Sequence, residues 1–167
     1  MDLISRGEGA MKILICIDGS EFSKNAVRFG ACLSAKIKAE VVALRVIDVP
    51  RYSHWMAISK KVKEEMNESA KKIIDDAQEI ARKEFGVEVT GLIKEGSPVE
   101  IIIKTVHEDD EIAMVVLGAS GKSHTARRFV GSTTEELIRE VSRSLHCAVI
   151  VVPGHDEMYS KRCAMAH

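Results

Sequence analysis

The stretch from Lys12 to Gly30 reads KILICIDGSEFSKNAVRFG and predicts a strand, a tight turn and a helix. Residues 12–18 are rich in isoleucine and leucine, whereas the apolar residues after Ser20 recur at spacings of three and four. A second apolar run, Val41 to Ile47, follows the helix and is nearly continuous, as in a strand covered on both faces. This succession of strand, helix and strand indicates a parallel sheet.

The same alternation continues along the chain. Two helices carry clear end signals, because Ser97-Pro98 provides an N-cap followed by proline, and Gly86 suits a left-handed C-cap. Alternating strands and helices predict an α/β fold, a single open parallel five-stranded sheet with right-handed crossovers and helices on both faces. The further strands are predicted at Val87–Ile93, Ile112–Leu117 and Cys147–Val152, and the further helices at Ile58–Phe85, from Ser97, and at Thr133–Leu145.

Length and charge fit one domain without a polyanionic partner. The 167 residues are 46% hydrophobic and 29% charged, with a net charge of −1, so no global field favours nucleic acid or an anionic membrane. No apolar run approaches the roughly 20 residues that cross a bilayer, and the first residues lack a secretory signal. We predict a cytoplasmic protein with a flexible leader at 1–11, one domain at 12–153 and a C-terminal arm at 154–167.

The cysteines and histidines predict no metal site built from protein side chains. The spacing of the cysteines contains no C-x-x-C pair, which argues against a zinc ribbon or a redox dithiol and favours reduced thiols. His155, Cys163 and His167 lie in the predicted arm, where such side chains are usually solvated. The four cysteines are Cys16, Cys32, Cys147 and Cys163.

One loop concentrates features that suit a phosphate. From Gly118 to Gly131 the chain reads GASGKSHTARRFVG, and a predicted helix begins at the hydroxyl residues that follow. Ligands of open α/β sheets bind beyond the carboxyl ends of the strands. The glycines let the backbone approach a ligand closely, and the helix N-terminus favours an anion. The positive charge comes from Lys122, His124, Arg127 and Arg128, and the hydroxyl residues are Ser132, Thr133 and Thr134.

Gly121-Lys122-Ser123 resembles the end of a Walker A loop, but Val116 stands where that motif needs its first glycine, inside a predicted strand. The P-loop is therefore excluded. Simpler interpretations of the remaining features stay open. Ser132 or Thr133, each with Glu three residues later, could be a helix N-cap, and the glycines could only mark a turn.

Asp18, at the end of the first predicted strand, lies beside Gly118 if strands one and four are neighbours. A carboxylate there can accept a hydrogen bond from a ribose hydroxyl or hold a metal ion bound to a phosphate. Alternatively, Asp18 forms an N-cap or Asx turn before the helix that follows Ser20.

The spacing Gly118-x-x-Gly121, nine residues, then Gly131-Ser132 resembles the G-2x-G-9x-G-[ST] motif of the ATP-binding branch of the universal stress protein family. The similarity covers most of the chain, from KILICIDGSEFSKNAV through LRVID and EGSPVEII to CAVIVVPG. Two features depart from the family pattern. Ala113 stands where the family often has Asp, and the tail after Gly154 extends past the usual end.

The resemblance implies strand order 3-2-1-4-5, in the adenine nucleotide alpha hydrolase-like arrangement, and a homodimer paired through the last strand. It also implies ATP, with Mg²⁺ or Mn²⁺ bound through its phosphates. Asp18 would contact the sugar, and the backbone of Val46 would recognise adenine. The phosphates would be held by Gly118, Gly121, Gly131 and Ser132, with Lys122, Thr133 and Thr134 close by.

Three functions compete at this point: an ATP-binding regulatory protein of the stress response, a slow Mg-dependent ATP hydrolase, and a dimeric scaffold that binds no nucleotide. Hydrolysis needs a base within hydrogen-bond reach of the attacking water. Asp18 and His124 are the nearest groups, and the sequence places neither beside such a water. It therefore identifies no catalytic residue.

Overall fold

The computed structural model describes residues 10–49, 59–120 and 130–154. Most of the predicted leader and all of the predicted arm after Gly154 lie outside these residues. So do Gly121 and Lys122 of the predicted phosphate loop.

The described residues form five strands and four helices in strict alternation. All the strands are parallel, and their order is β3-β2-β1-β4-β5, which confirms the predicted fold class and strand order. The order reverses between β1 and β4, where ligands of such sheets bind. The strands β1 to β5 are Lys12–Cys16, Glu40–Asp48, Val89–Gly96, Ile112–Gly118 and Ala148–Val152, and the helices α1 to α4 are Glu21–Ile37, Lys60–Phe85, Pro98–Glu108 and Ser132–Ser144.

A buried core fills each face of the sheet. On one face α1 lies over β1 and β4 and α2 lies over β2 and β3, and together they bury apolar side chains that include Ile13, Ile15 and Val116. On the other face α3 and α4 cover side chains such as Leu14 and Val115. Residues adjacent in β1 enter opposite cores because side chains alternate along a strand. This accounts for the nearly continuous apolar runs in the sequence.

The helix ends follow the sequence signals. Ser20 caps α1, since its Oγ accepts a hydrogen bond from the Ser23 amide at 3.1 Å. Gly86 ends α2 with a positive φ of 66°, and Ser97 is the N-cap residue before Pro98, as predicted. Over the described ranges, no helix combines the length and apolarity needed to cross a bilayer.

The predicted strand ends shift by up to three residues. β1 ends at Cys16 rather than Asp18, while β3 continues to Gly96, three residues past the predicted end at Ile93. The Ile17 amide still donates to the carbonyl of Leu44 at 2.9 Å, so the chain leaves the sheet only after Ile17. The apolar pattern hides this exit, because Ile17 is buried like a strand residue.

The cysteines differ from the prediction at one position. Cys16 and Cys147 carry free thiols, whereas Cys32 is disulfide-bonded, so the prediction of reduced thiols is wrong for Cys32. Burial raises the pKa of Cys16 to about 12. This thiol is therefore protonated at neutral pH.

Candidate functional site

A cavity of about 310 Å³ opens at the carboxyl ends of β1, β2 and β4. Its volume falls within the range of small-ligand sites. Apolar side chains of Leu44, Pro98 and Ile102 line one part of it, and the start of α4 lines another. The cavity therefore offers an apolar wall and a helix N-terminus to the same ligand.

The predicted site residues that the structure describes all line this cavity. They come from the ends of three neighbouring strands and from the first turn of α4, although up to 116 positions separate them in the sequence. Only the strand order brings these segments together. The residues are Asp18, Val46, Gly118, Gly131, Ser132, Thr133 and Thr134.

Three hydrogen bonds hold the start of α4 against the ends of β4 and β5. The Gly131 amide donates to the carbonyl of Ala119 at 2.8 Å, and the Ala119 amide donates to the carbonyl of Val152 at 2.8 Å. Thr134 Oγ1 donates to the carbonyl of Gly118 at 3.0 Å. The hydroxyl proton of Thr134 is thus used within the protein, and the position of the helix start is fixed.

The N-terminus of α4 faces the cavity without a capping side chain. Gly131 is the N-cap residue, and in the described part of the chain no side chain bonds its first-turn amides. Ser132 and Thr133 lie inside the helix, so the alternative that either of them is the N-cap is wrong. Because uncapped amides and the helix dipole both favour negative charge, this end of the cavity suits an anion.

Asp18 holds the turn after β1 and also lines the cavity. Its Oδ1 accepts a hydrogen bond from the Ser20 amide at 2.9 Å, which confirms the Asx-turn alternative. β1 and β4 are neighbours, with Cys16 opposite Leu117, so Asp18 reaches the same cavity as Gly118. The turn and a ligand contact are compatible, and the contact with a sugar stays a prediction.

A sequence model described as the universal stress protein family matches residues 10–153. The chain belongs to the universal stress protein family. Among its relatives, universal stress protein MJ0531 of Methanocaldococcus jannaschii is 32% identical over 157 residues, which are 90% of this chain and 86% of the relative.

Solved structures of universal stress proteins share the fold. The protein UspA of Lactobacillus plantarum is 24% identical, with a TM-score of 0.72 over 87% of this chain and 99% of that one. A universal stress protein of Archaeoglobus fulgidus, solved in complex with dAMP, is 21% identical, with a TM-score of 0.63 over 85% and 97% of the two chains. At these identities the likeness establishes the fold alone.

In this universal stress protein, packing by itself requires glycine at position 118. A Cβ there would lie 2.7 Å from the carbonyl carbon and from the Cβ of Phe22, in the first turn of α1. The sequence suggested that this glycine lets a ligand approach or marks a turn. The structure adds a reason that holds without any ligand, because α1 and β4 touch at this point.

Arg45 and Ser120 are among the residues that line the cavity and that were missed in the sequence. Arg45 interrupts the apolar strand β2, and Ser120 lies between the first two motif glycines. Burial lowers the pKa of Arg45, while the charges of Asp18 and Asp48 oppose that shift. The guanidinium nevertheless stays protonated at any physiological pH. Arg45 is a charged residue inside an otherwise apolar strand, and this feature of the sequence could have identified it as a candidate site residue.

Proposed function

We propose that this chain binds an adenine nucleotide, specifically ATP, in the cavity at the carboxyl ends of β1, β2 and β4. It acts as a nucleotide-dependent regulatory protein of the stress response. The observation that carries the proposal is the uncapped N-terminus of α4, which faces the same cavity as Asp18 and Val46. The complex of a related fold with dAMP supports an adenine nucleotide as the ligand class.

The proposed orientation follows from the two ends of the cavity. The phosphates lie at the start of α4, near Gly118, Gly131 and Ser132, where amides and the helix dipole favour anions. The base lies toward β2, where Val46 offers its backbone and Leu44 and Ile102 offer apolar surface. Two strand spacings, about 10 Å, separate β2 from β4, so the cavity suits a ligand with a base at one end and phosphates at the other.

A divalent cation fits this site as a partner of the phosphates. Mg²⁺ usually keeps several waters and binds through substrate phosphates with one or two carboxylates. Asp18 provides a carboxylate in the cavity, and Ser132 and Thr133 provide hydroxyl groups. Over the described ranges, no cluster of three His, Cys, Asp or Glu side chains forms a separate metal site. The ion would neutralise phosphate charge, and the protein residues would orient the nucleotide.

Slow Mg-dependent hydrolysis of ATP is the second candidate, and the carboxylate of Asp18 in the cavity favours it. General-base catalysis requires that a carboxylate reach the attacking water. If Asp18 has this role, Asp18→Ala abolishes multiple turnover even at ATP concentrations at which the variant still binds ATP. Slow hydrolysis that the substitution does not change would instead indicate a contaminating enzyme.

We also propose that the protein is a cytoplasmic homodimer that pairs through β5. Among the strands that the structure describes, β5 lies at an edge of the sheet beside β4, and its central residues Val149, Ile150 and Val151 are partly exposed. An edge strand with apolar side chains is a template for pairing with a second copy. Sedimentation equilibrium tests this point, and a monomer at micromolar concentration would contradict it.

Thermal unfolding with MgATP tests nucleotide binding. A ligand at a hundredfold excess over its Kd adds about 2.7 kcal/mol to the free energy of unfolding, roughly 5 to 10 °C for a chain of this length. We expect this shift for the wild type and its loss in Ser132→Asp, because the new carboxylate repels phosphates. Without ligand, the same carboxylate interacts favourably with the helix dipole, so stability is kept or slightly raised.

Ser132→Asn is the matched control, since it has the shape of Asp without the charge, and it should retain most of the shift. Equal MgATP shifts in Ser132→Asp and the wild type would place the phosphates elsewhere. Absence of any shift in the wild type at millimolar MgATP would overturn the nucleotide function and leave the scaffold as the remaining candidate.

A further inference from the structure

Two buried side-chain atoms in the described part of the chain have no hydrogen-bond partner: Nε of Arg45 and Oγ of Ser120. Native proteins rarely leave a buried polar atom unsatisfied, because its lost hydration is then uncompensated. Both residues line the same cavity. This coincidence indicates that a polar ligand provides the missing partners there.

Ser120 is only 8% exposed, and the two residues before it make backbone hydrogen bonds. The neighbouring Ala119 uses its amide toward Val152 and its carbonyl toward Gly131, while the carbonyl of Gly118 accepts from Thr134. The Ser120 hydroxyl differs from these groups, because it has no hydrogen-bond partner among the described residues. Because these bonds hold the backbone just before Ser120, rotation about χ1 among the three staggered rotamers is enough to turn Oγ toward the cavity.

The surroundings of Ser120 indicate an anionic partner. The carbonyl of Ala119 accepts a hydrogen bond from the amide of Gly131, the N-cap of α4. Ser120, the next residue, therefore lies beside the end of the cavity that favours negative charge. A hydroxyl that donates to an ionised oxygen forms a shorter and stronger hydrogen bond than one to a neutral acceptor. Arg45 lies on β2, two strands away, and is therefore not at this end.

We propose that Ser120 is an additional phosphate-binding residue, whose Oγ donates a hydrogen bond to a phosphate oxygen of the bound nucleotide. The inference rests on the proposed nucleotide function and assigns a role to a position between the motif glycines. Ser120 makes the bond only after a ligand enters. Its hydroxyl therefore costs stability in the free protein and contributes to affinity in the complex.

Calorimetric titration of Ser120→Ala with adenosine, AMP and MgATP tests this role. We expect about tenfold weaker binding of AMP and MgATP than in the wild type, the scale of one hydrogen bond to a charged group. Adenosine, which lacks a phosphate, should bind both proteins equally. The ligand-free variant should melt at or above the temperature of the wild type, because it no longer buries an unsatisfied hydroxyl.

Ser34→Ala is the matched control at a buried serine far from the cavity. Ser34 is 4% exposed, and its Oγ donates to the carbonyl of Ala39 at 2.6 Å, so its loss should lower the melting temperature and leave nucleotide affinity unchanged. Unchanged affinity of Ser120→Ala for AMP and MgATP, or an equal loss for adenosine, would overturn the role of Ser120 alone. A wild type that binds none of the three ligands would overturn the proposed function together with this inference.

Discussion

Phe22 positions the two strand ends that border the candidate site. It lies in the first turn of α1, and its atoms occupy the space that a side chain would need at Gly118 and at Gly154. The two contacts differ in kind. At Gly118 the nearest atoms are the carbonyl carbon, the carbonyl oxygen and the Cβ of Phe22, whereas at Gly154 they are atoms of the aromatic ring. The helix therefore approaches β4 through its backbone and the chain after β5 through a ring.

This difference predicts opposite results in double-mutant cycles. Gly118→Ala and Gly154→Ala should each lower the free energy of unfolding by about 1 to 3 kcal/mol, the usual cost of overpacking. Phe22→Ala should relieve the loss at Gly154, because the ring is removed, and should not relieve the loss at Gly118, because the backbone remains. Urea denaturation of the single and double variants measures both couplings. Relief at Gly118 would show that the ring, not the backbone, enforces that glycine.

At the scale of the element, two helices end in the left-handed conformation with different residues. Gly86 ends α2 with φ of 66°, and Lys38 ends α1 with φ of 57°. A side chain disfavours this conformation because its Cβ approaches the following carbonyl oxygen, whereas glycine adopts it readily. Nothing lies within 4 Å of a Cβ built at Gly86, so conformational strain alone decides the cost of a side chain there.

Glycine in place of Lys38 and a side chain in place of Gly86 should therefore change the free energy of unfolding in opposite directions. We expect Lys38→Gly to raise the free energy of unfolding by about 0.5 to 1 kcal/mol and Gly86→Ala to lower it by about 1 kcal/mol. Urea midpoints at pH 7 measure both changes. Nucleotide affinity serves as the control and should stay constant, since neither residue lines the cavity. A loss of stability in Lys38→Gly would contradict the strain argument.

At the scale of the whole molecule, a cluster of three charged side chains lies at the end of the sheet opposite the cavity. Lys12, at the start of β1, has its Nζ 2.9 Å from Asp109 Oδ2 and 2.6 Å from Glu111 Oε2. These carboxylates lie in the connection between α3 and β4, so the cluster ties segments nearly 100 positions apart. The Lys12 ammonium lowers the pKa of Asp109, and the two carboxylates raise the pKa of Lys12.

The cluster predicts a pH dependence of defined sign. A carboxylate whose folded pKa is lowered stabilises the fold above its ordinary pKa of 3.8, and this stabilisation disappears as pH falls through the lower folded value. Lys12→Met should therefore reduce the urea midpoint at pH 7, and its difference from the wild type should shrink below about pH 4. Lys60→Met is the control. Lys60 is exposed, and the distance of 3.8 Å between its Nζ and Oε1 of Glu64 makes this a long, weak ion pair. A difference that stays undiminished down to about pH 2 would assign the effect to packing.

The sequence by itself determined the α/β class, because alternating apolar runs and helix end signals are local patterns, and Lys12–Gly30 already shows the first strand, turn and helix. The motif around Gly118 added the family and, through it, the strand order. The strand ends were harder to predict, because buried Ile17 continues the apolar pattern after the chain has left β1.

Only the tertiary structure decided which residues around the cavity bond to the protein and which keep a polar group without a partner among the described residues. Asp18 and Thr134 have partners within the protein, Gly131 is the helix cap, and the Ser120 hydroxyl has no partner among the described residues. These roles depend on contacts between the ends of β1, β4, β5 and α4, which are distant in sequence. A local pattern can identify a glycine or a hydroxyl group, but only the packing of neighbouring strands shows what surrounds it.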